Sequence, residues 1–124
     1  MAIRDVMRDS ATPFLQPGET VQAVFGTQTA NQNLAALAGA FVFLGLHRYR
    51  IAAATDRRIL VLDAGKVSMK KARGLLAALP RSTRLGPTEG IWHVIDVNGE
   101  KLRVHRRFFR DIERADATAA ASAA

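Results

Sequence analysis

The segment Tyr49-Arg50-Ile51-Ala52-Ala53-Ala54-Thr55-Asp56-Arg57-Arg58-Ile59-Leu60-Val61-Leu62 decides the fold. Tyr49, Ile51 and Ala53 fall on one face of an extended chain, and Arg48 and Arg50 on the other. That period of two is the mark of a half-buried strand. Thr55-Asp56-Arg57-Arg58 reads as a tight turn. Ile59 to Leu62 is apolar on both faces, which places it as a central strand. Asp63-Ala64-Gly65-Lys66 is the next turn, where glycine supplies the positive φ of a tight hairpin.

Toward the N-terminus, Val21, Ala23 and Phe25 alternate with Gln22, Val24 and Gly26 as another strand. Gly26 within it points to a bulge or a close backbone approach. Ile3, Val6 and Met7 have helical spacing, and Asp9-Ser10 and Pro17-Gly18 close a short N-terminal helix and turn over residues 1–18. Toward the C-terminus, Leu75, Leu76 and Leu79 fit one turn of helix or a strand ended by Pro80, and the favoured reading is a strand continuing irregularly through Leu85 until Gly86-Pro87 breaks it. Ile91 to Val97 and Lys101 to His105 flank Asn98-Gly99, the best short hairpin signal in the chain. Phe108, Phe109, Ile112 and Ala115 then follow a helical period, with Arg107, Arg110, Asp111, Glu113 and Arg114 facing away. Residues 117–124 offer little to pack and read as an Ala-rich frayed tail.

The expected architecture is mainly β within an α+β class. Antiparallel strands curl into a barrel or sandwich, and a C-terminal amphipathic helix plugs one end. Ile51, Ile59, Val61, Trp92, Val94, Val104, Phe108 and Ile112 are expected to form one core. The length of 124 residues fits a single domain.

Tyr49 to Leu62 resembles the T-D-R-R-hydrophobic hairpin of bacterial pleckstrin-homology-like domains. Leu79-Pro80-Arg81-Ser82-Thr83-Arg84-Leu85-Gly86 followed by Ile91-Trp92 is similar to their later strands. So is Val104-His105-Arg106-Arg107-Phe108 leading into the last helix. The resemblance covers residues 19–116. It implies two packed antiparallel sheets capped by the C-terminal helix, and a module that binds rather than catalyses. Members that hold phosphoinositides carry a basic pattern between their first two strands. Here Asn31 to Leu46 contains neither Lys nor Arg.

The chain has 18 Lys plus Arg against 11 Asp plus Glu, a formal charge of +7. Such an excess attracts phosphates, on lipid or on nucleic acid. No aromatic–basic strand motif of a nucleic-acid reader accompanies it. The absence of Cys removes disulfides and thiolate metal sites. His47, His93 and His105 lack metal-ligand spacing, and no G-x-S-x-G, Walker A or G-x-G-x-x-G motif is present. No catalytic residue, cofactor or metal is therefore expected. The first residues lack the apolar run of a secretory signal, so the expected location is the cytoplasm, with the inner membrane surface as a place of attachment.

Two stretches carry the binding candidates. Between Ala64 and Thr88 lie Lys66, Lys70, Lys71, Arg73, Arg81 and Arg84 and no acid, a candidate anion-facing patch or a solvated hairpin surface. Leu34 to Leu46 is uncharged for thirteen residues, short of the roughly 20 that span a bilayer. Phe41, Phe43, Leu44 and Leu46 are its contact candidates, whether the stretch is core, a self-association surface or an interfacial membrane element. The expected function is a binding module whose partner is a protein, a second copy of itself or an anionic membrane surface. A nucleic-acid binder and a carrier of a small apolar ligand are the rivals.

Overall fold

A computed structural model describes residues 2–29, 48–66 and 68–123. Six strands form one antiparallel sheet: β1 (Val21–Gln28), β2 (Tyr49–Thr55), β3 (Arg58–Gly65), β4 (Gly74–Pro80), β5 (Trp92–Val97) and β6 (Glu100–His105). Their spatial order is β4-β3-β2-β1-β6-β5. Helix α1 (Ile3–Ala11) precedes the sheet and helix α2 (Phe109–Ala123) follows it. The sheet curls into a half-barrel whose edges, β4 and β5, are not paired with each other.

The Thr55-Asp56-Arg57-Arg58 turn shows why those residue types stand there. The Thr55 hydroxyl donates to the Glu19 carboxylate at 2.6 Å and accepts the backbone N–H groups of Arg57 and Arg58 at 3.1 Å. Asp56 accepts the Thr20 N–H at 2.9 Å. Arg58 reaches back to Glu19 with two nitrogens, both at 3.0 Å, and to the Phe14 carbonyl at 3.2 Å. The turn thus ties the N-terminal segment to the β2–β3 hairpin. The close approach expected at Gly26 is made by the Met69 side chain, which fills the space where a Cβ would stand. Asn98 and Gly99 both take positive φ in the β5–β6 turn.

The buried centre joins Phe25, Ile51, Ile59, Leu60, Leu62, Val104, Phe108 and Ile112 with Met7 of α1. A smaller cluster sets Val61 of β3 against Val97 and Leu102 of the last hairpin, with Ala77, Leu79 and Ile95 at its border. Phe108 is enclosed between the guanidinium groups of Arg4, 5.2 Å from the ring centre, and Arg107, at 4.8 Å.

Six expectations change. The two packed sheets are one six-stranded sheet, and Val61 sits in the smaller cluster apart from the other core residues. Trp92 and Val94 are not core: they are 38 % and 45 % exposed. The register pairs Trp92 with His105 and Val94 with Arg103, so both point away from the face that carries Leu102 and Val104. The strand expected to run through Leu85 ends at Pro80, followed by a turn at Arg81-Ser82. Asp111 does not face away but is buried beneath Arg4, which donates to its two oxygens at 2.9 and 3.1 Å. Helix α2 continues to Ala123, past the Asp116 boundary, consistent with the high helix propensity of alanine. The apolar candidates Phe41, Phe43, Leu44 and Leu46 lie outside the described residues.

Candidate functional site: a cationic end of the half-barrel

Antiparallel pairing gathers the end of β1, the start of β2, the end of β3 and the start of β4 at one end of the sheet, since Gln28 faces Tyr49, Tyr49 faces Gly65 and Asp63 faces Gly74. The β3–β4 excursion leaves from this end, and three contacts pin it. The Ala72 N–H donates to the Ser10 hydroxyl at 2.9 Å, the Arg73 N–H donates to the Asp63 carbonyl at 2.7 Å, and Met69 packs on Gly26. With Met69 and Ala72 turned to the core, Lys66, Lys70, Lys71 and Arg73 are left exposed. None of the four side chains makes an ion pair among the described residues.

Beside them opens a cleft of about 450 Å³ lined by Arg48, Arg50, Asp63, Lys66, Arg73 and Leu76. Arg50 is internally neutralised: it bonds Asp63 at 2.8 Å and Glu100 at 3.1 Å, and only 12 % of its side chain is exposed. It ties β2 and β3 to the last hairpin instead of facing a ligand. The exposed cations at this end belong to the excursion.

Arg81 and Arg84 do not join the other four candidates. The seven residues of β4, roughly 23 Å at about 3.3 Å per residue, separate them from Arg73. Arg81 is structural: it donates to the Thr55 carbonyl at 2.6 Å and to the Gln22 side-chain oxygen at 2.8 Å. Desolvation lowers its pKa from the usual arginine value. Arg84 lies beside Glu113 and Asp116, whose charges oppose its own. The basic run therefore contributes four surface cations to one end and splits the other two off. Arg48 is a cleft residue that the sequence reading took only as one face of a strand.

The chain leaves β1 and enters β2 at this same end. The Thr29 N–H donates to the Arg48 carbonyl at 2.9 Å, and the Arg48 N–H to the Thr29 hydroxyl at 3.0 Å. Thr29 and Arg48, which flank the uncharged stretch in the chain, are thus fastened side by side next to the cations. No group of three or more metal-ligating side chains occurs among the described residues. No helix among them is long and apolar enough to cross a membrane. Comparison with protein-family models, with curated proteins and with solved structures finds no match to this chain.

Proposed function

We propose that this chain is a non-enzymatic binding module of pleckstrin-homology-like architecture that docks on an anionic membrane surface through its cationic end. The observation that carries the reading is the display of Lys66, Lys70, Lys71 and Arg73, exposed and without ion-pair partners among the described residues, on one pinned excursion. The curled antiparallel sheet followed by a plugging helix supports the family part. Magnitudes limit what charge does alone. Each Lys or Arg near an anionic bilayer contributes about 1 kcal/mol, so four give roughly 4 kcal/mol, the strength of a millimolar complex. Firm attachment needs an apolar element as well, and the uncharged Leu34–Leu46 stretch lies in the chain between Thr29 and Arg48, which stand at the same end. With no Lys or Arg between Asn31 and Leu46, the module senses bilayer charge and not one phosphoinositide headgroup.

Flotation with phosphatidylglycerol vesicles and with neutral phosphatidylcholine vesicles tests this. Binding is expected only to the anionic vesicles, and it should weaken at high salt as the charges are screened. Combined reversal of Lys66, Lys70, Lys71 and Arg73 to Glu should abolish it, and Phe43→Asp should weaken it. Flotation that ignores either charge reversal or salt overturns the reading.

Self-association is the second reading, and a specific feature favours it. Among the described residues β4 is an edge strand, with Leu75 and Leu76 47 % and 52 % exposed. Edges of this kind pair with other chains unless charge or proline blunts them. Sedimentation of the free protein decides: a dimer that survives high salt and is lost in Leu76→Lys supports this reading, and a monomer at all concentrations removes it.

A further inference from the structure

We propose that the cleft where β1 and β6 part binds a small organic carboxylate, held by Arg103 and Arg107 against the ring of Trp92. The cleft is a consequence of the sheet. Among the described residues, β1 pairs with β2 along its length but with β6 only at Gln28–Arg103. Beyond that bridge, toward Gly26 and His105, the strands separate around a cavity of about 200 Å³. Gly26 brings no side chain into it, and the Met69 thioether occupies that space as part of the wall.

The polar lining is dominated by donors. Arg103 spends one guanidinium nitrogen on the Thr29 carbonyl at 2.8 Å. Arg107 lies over the Phe108 ring and meets the Met69 sulfur at 3.5 Å, with no carboxylate partner among the described residues. The His105 Nδ1 accepts the Arg107 N–H at 3.2 Å. A neutral His105 ring therefore carries its proton on Nε2, a further donor. No Asp or Glu among the described residues lines the cavity. Gln28, 5 % exposed, borders the cleft, and its amide nitrogen is buried with no hydrogen-bond partner. An orphaned buried donor is costly and asks for an acceptor. Donors and permanent cations without a counter-charge select an anion.

The rest of the lining selects its body. Trp92 is 38 % exposed and stands edge-on to His105 at 5.1 Å between ring centres, leaving indole surface for a flat apolar group. Tyr49 adds aromatic surface, while Phe108 is covered by Arg107 and backs the wall. The volume lies below the roughly 300 Å³ at which drug-sized sites begin, so the occupant is small. An aromatic acid of one ring satisfies charge, shape and size together; a bare phosphate leaves the aromatic surface unused. None of Lys66, Lys70, Lys71 and Arg73 lines this cleft, so the inference stands apart from membrane docking.

The chain contains one Trp, which makes its fluorescence a direct report of the cleft. The full chain is titrated with benzoate and with benzamide, its uncharged counterpart. A saturable change with benzoate, at least about tenfold weaker with benzamide, is expected. Arg107→Gln should weaken benzoate by about tenfold, whereas Arg84→Gln, outside the cleft, should leave it unchanged. Because Arg103 also ties down the Thr29 backbone, Gln28→Leu serves as the second variant. It removes the orphaned amide, so it should weaken benzoate while the melting temperature holds or rises. Absence of saturation, equal response to acid and amide, or undiminished binding in Arg107→Gln overturns the inference.

Discussion

Glu19 is a carboxylate buried at the seam between the N-terminal segment and the β2–β3 hairpin, and its partners set its titration. The Arg58 guanidinium, above all, with the Thr55 hydroxyl and the Gln16 N–H, holds its pKa down at about 2 from an ordinary 4.5, against the upward push of burial. A pKa depressed in the folded state adds stability above the unfolded value. That stability fades as pH falls from about 4.5 toward 2. Glu19→Gln should therefore cost roughly 3 kcal/mol at neutral pH, because it leaves Arg58 half-satisfied. The gap between wild type and variant should close on acidification, as pH-resolved chemical denaturation would show; a gap independent of pH would mean that Glu19 is held by shape and not by charge. Arg81 makes the same point about a cation. Its bonds to the Thr55 carbonyl and Gln22 tie the turn after β4 to β1 and β2. Arg81→Ala should cost about 1–3 kcal/mol. Lys71→Ala, from the same basic run but exposed, should change stability by under about 0.5 kcal/mol. Equal effects in thermal melts would return Arg81 to the surface.

At the scale of elements, α2 is held from two sides. Phe108 enters the core just before it, and Phe108→Ala should cost about 3–5 kcal/mol in equilibrium denaturation. Asp116 accepts the N–H groups of Leu85 and Gly86 at 2.8 and 2.9 Å and so fixes the segment after β4 to the helix. Truncation after Asp116 should cost under about 1 kcal/mol, since it keeps both anchors; Asp116→Ala should cost about 1–3 kcal/mol by stranding two donors. A truncation as costly as the point change would show that the Ala-rich end docks. These elements were legible where periodicity and turn chemistry agreed, as in Tyr49–Leu62, Asn98-Gly99 and the Phe108–Ala115 stripe. The phase of β5 was harder. Ile91 to Ile95 is apolar on both faces apart from His93, and the bulk of Trp92 argued for the inside. Asp96 carries the contrary signal, because it shares a face with Trp92 and Val94. The basic run misled for a related reason. Lys66 to Arg84 group by charge in the sequence, yet any extended strand between Arg73 and Arg81 already holds those two roughly 23 Å apart. The Gln28–Arg103 bridge that opens the cleft joins strands far apart in the chain, and periodicity carries no information about it.

At the scale of the molecule, the curl of the sheet turns six strands into an enclosure. β3 and β6 are three steps apart in the sheet order, roughly 14 Å in a flat sheet at about 4.8 Å per step. Side chains of valine and leucine do not bridge that distance. Yet Val61 of β3 and Leu102 of β6 belong to one buried cluster. Arg50 of β2 meets Glu100 of β6 at 3.1 Å on the way. The strands must therefore bend toward each other, and the contact between the two halves, not hydrogen bonding between β4 and β5, maintains the bend. The consequence is a coupling that local structure does not supply. Val61→Ala and Leu102→Ala should each destabilise the fold. Together they should cost less than their sum by more than about 0.5 kcal/mol, because the first cavity already removes part of the contact that the second would break. Pairing either change with Ala11→Gly in α1, whose residue lies in the other cluster, should be additive within about 0.5 kcal/mol. A cycle in which Val61 and Leu102 are additive would mean that the two halves of the sheet fold as neighbours without closing on one another.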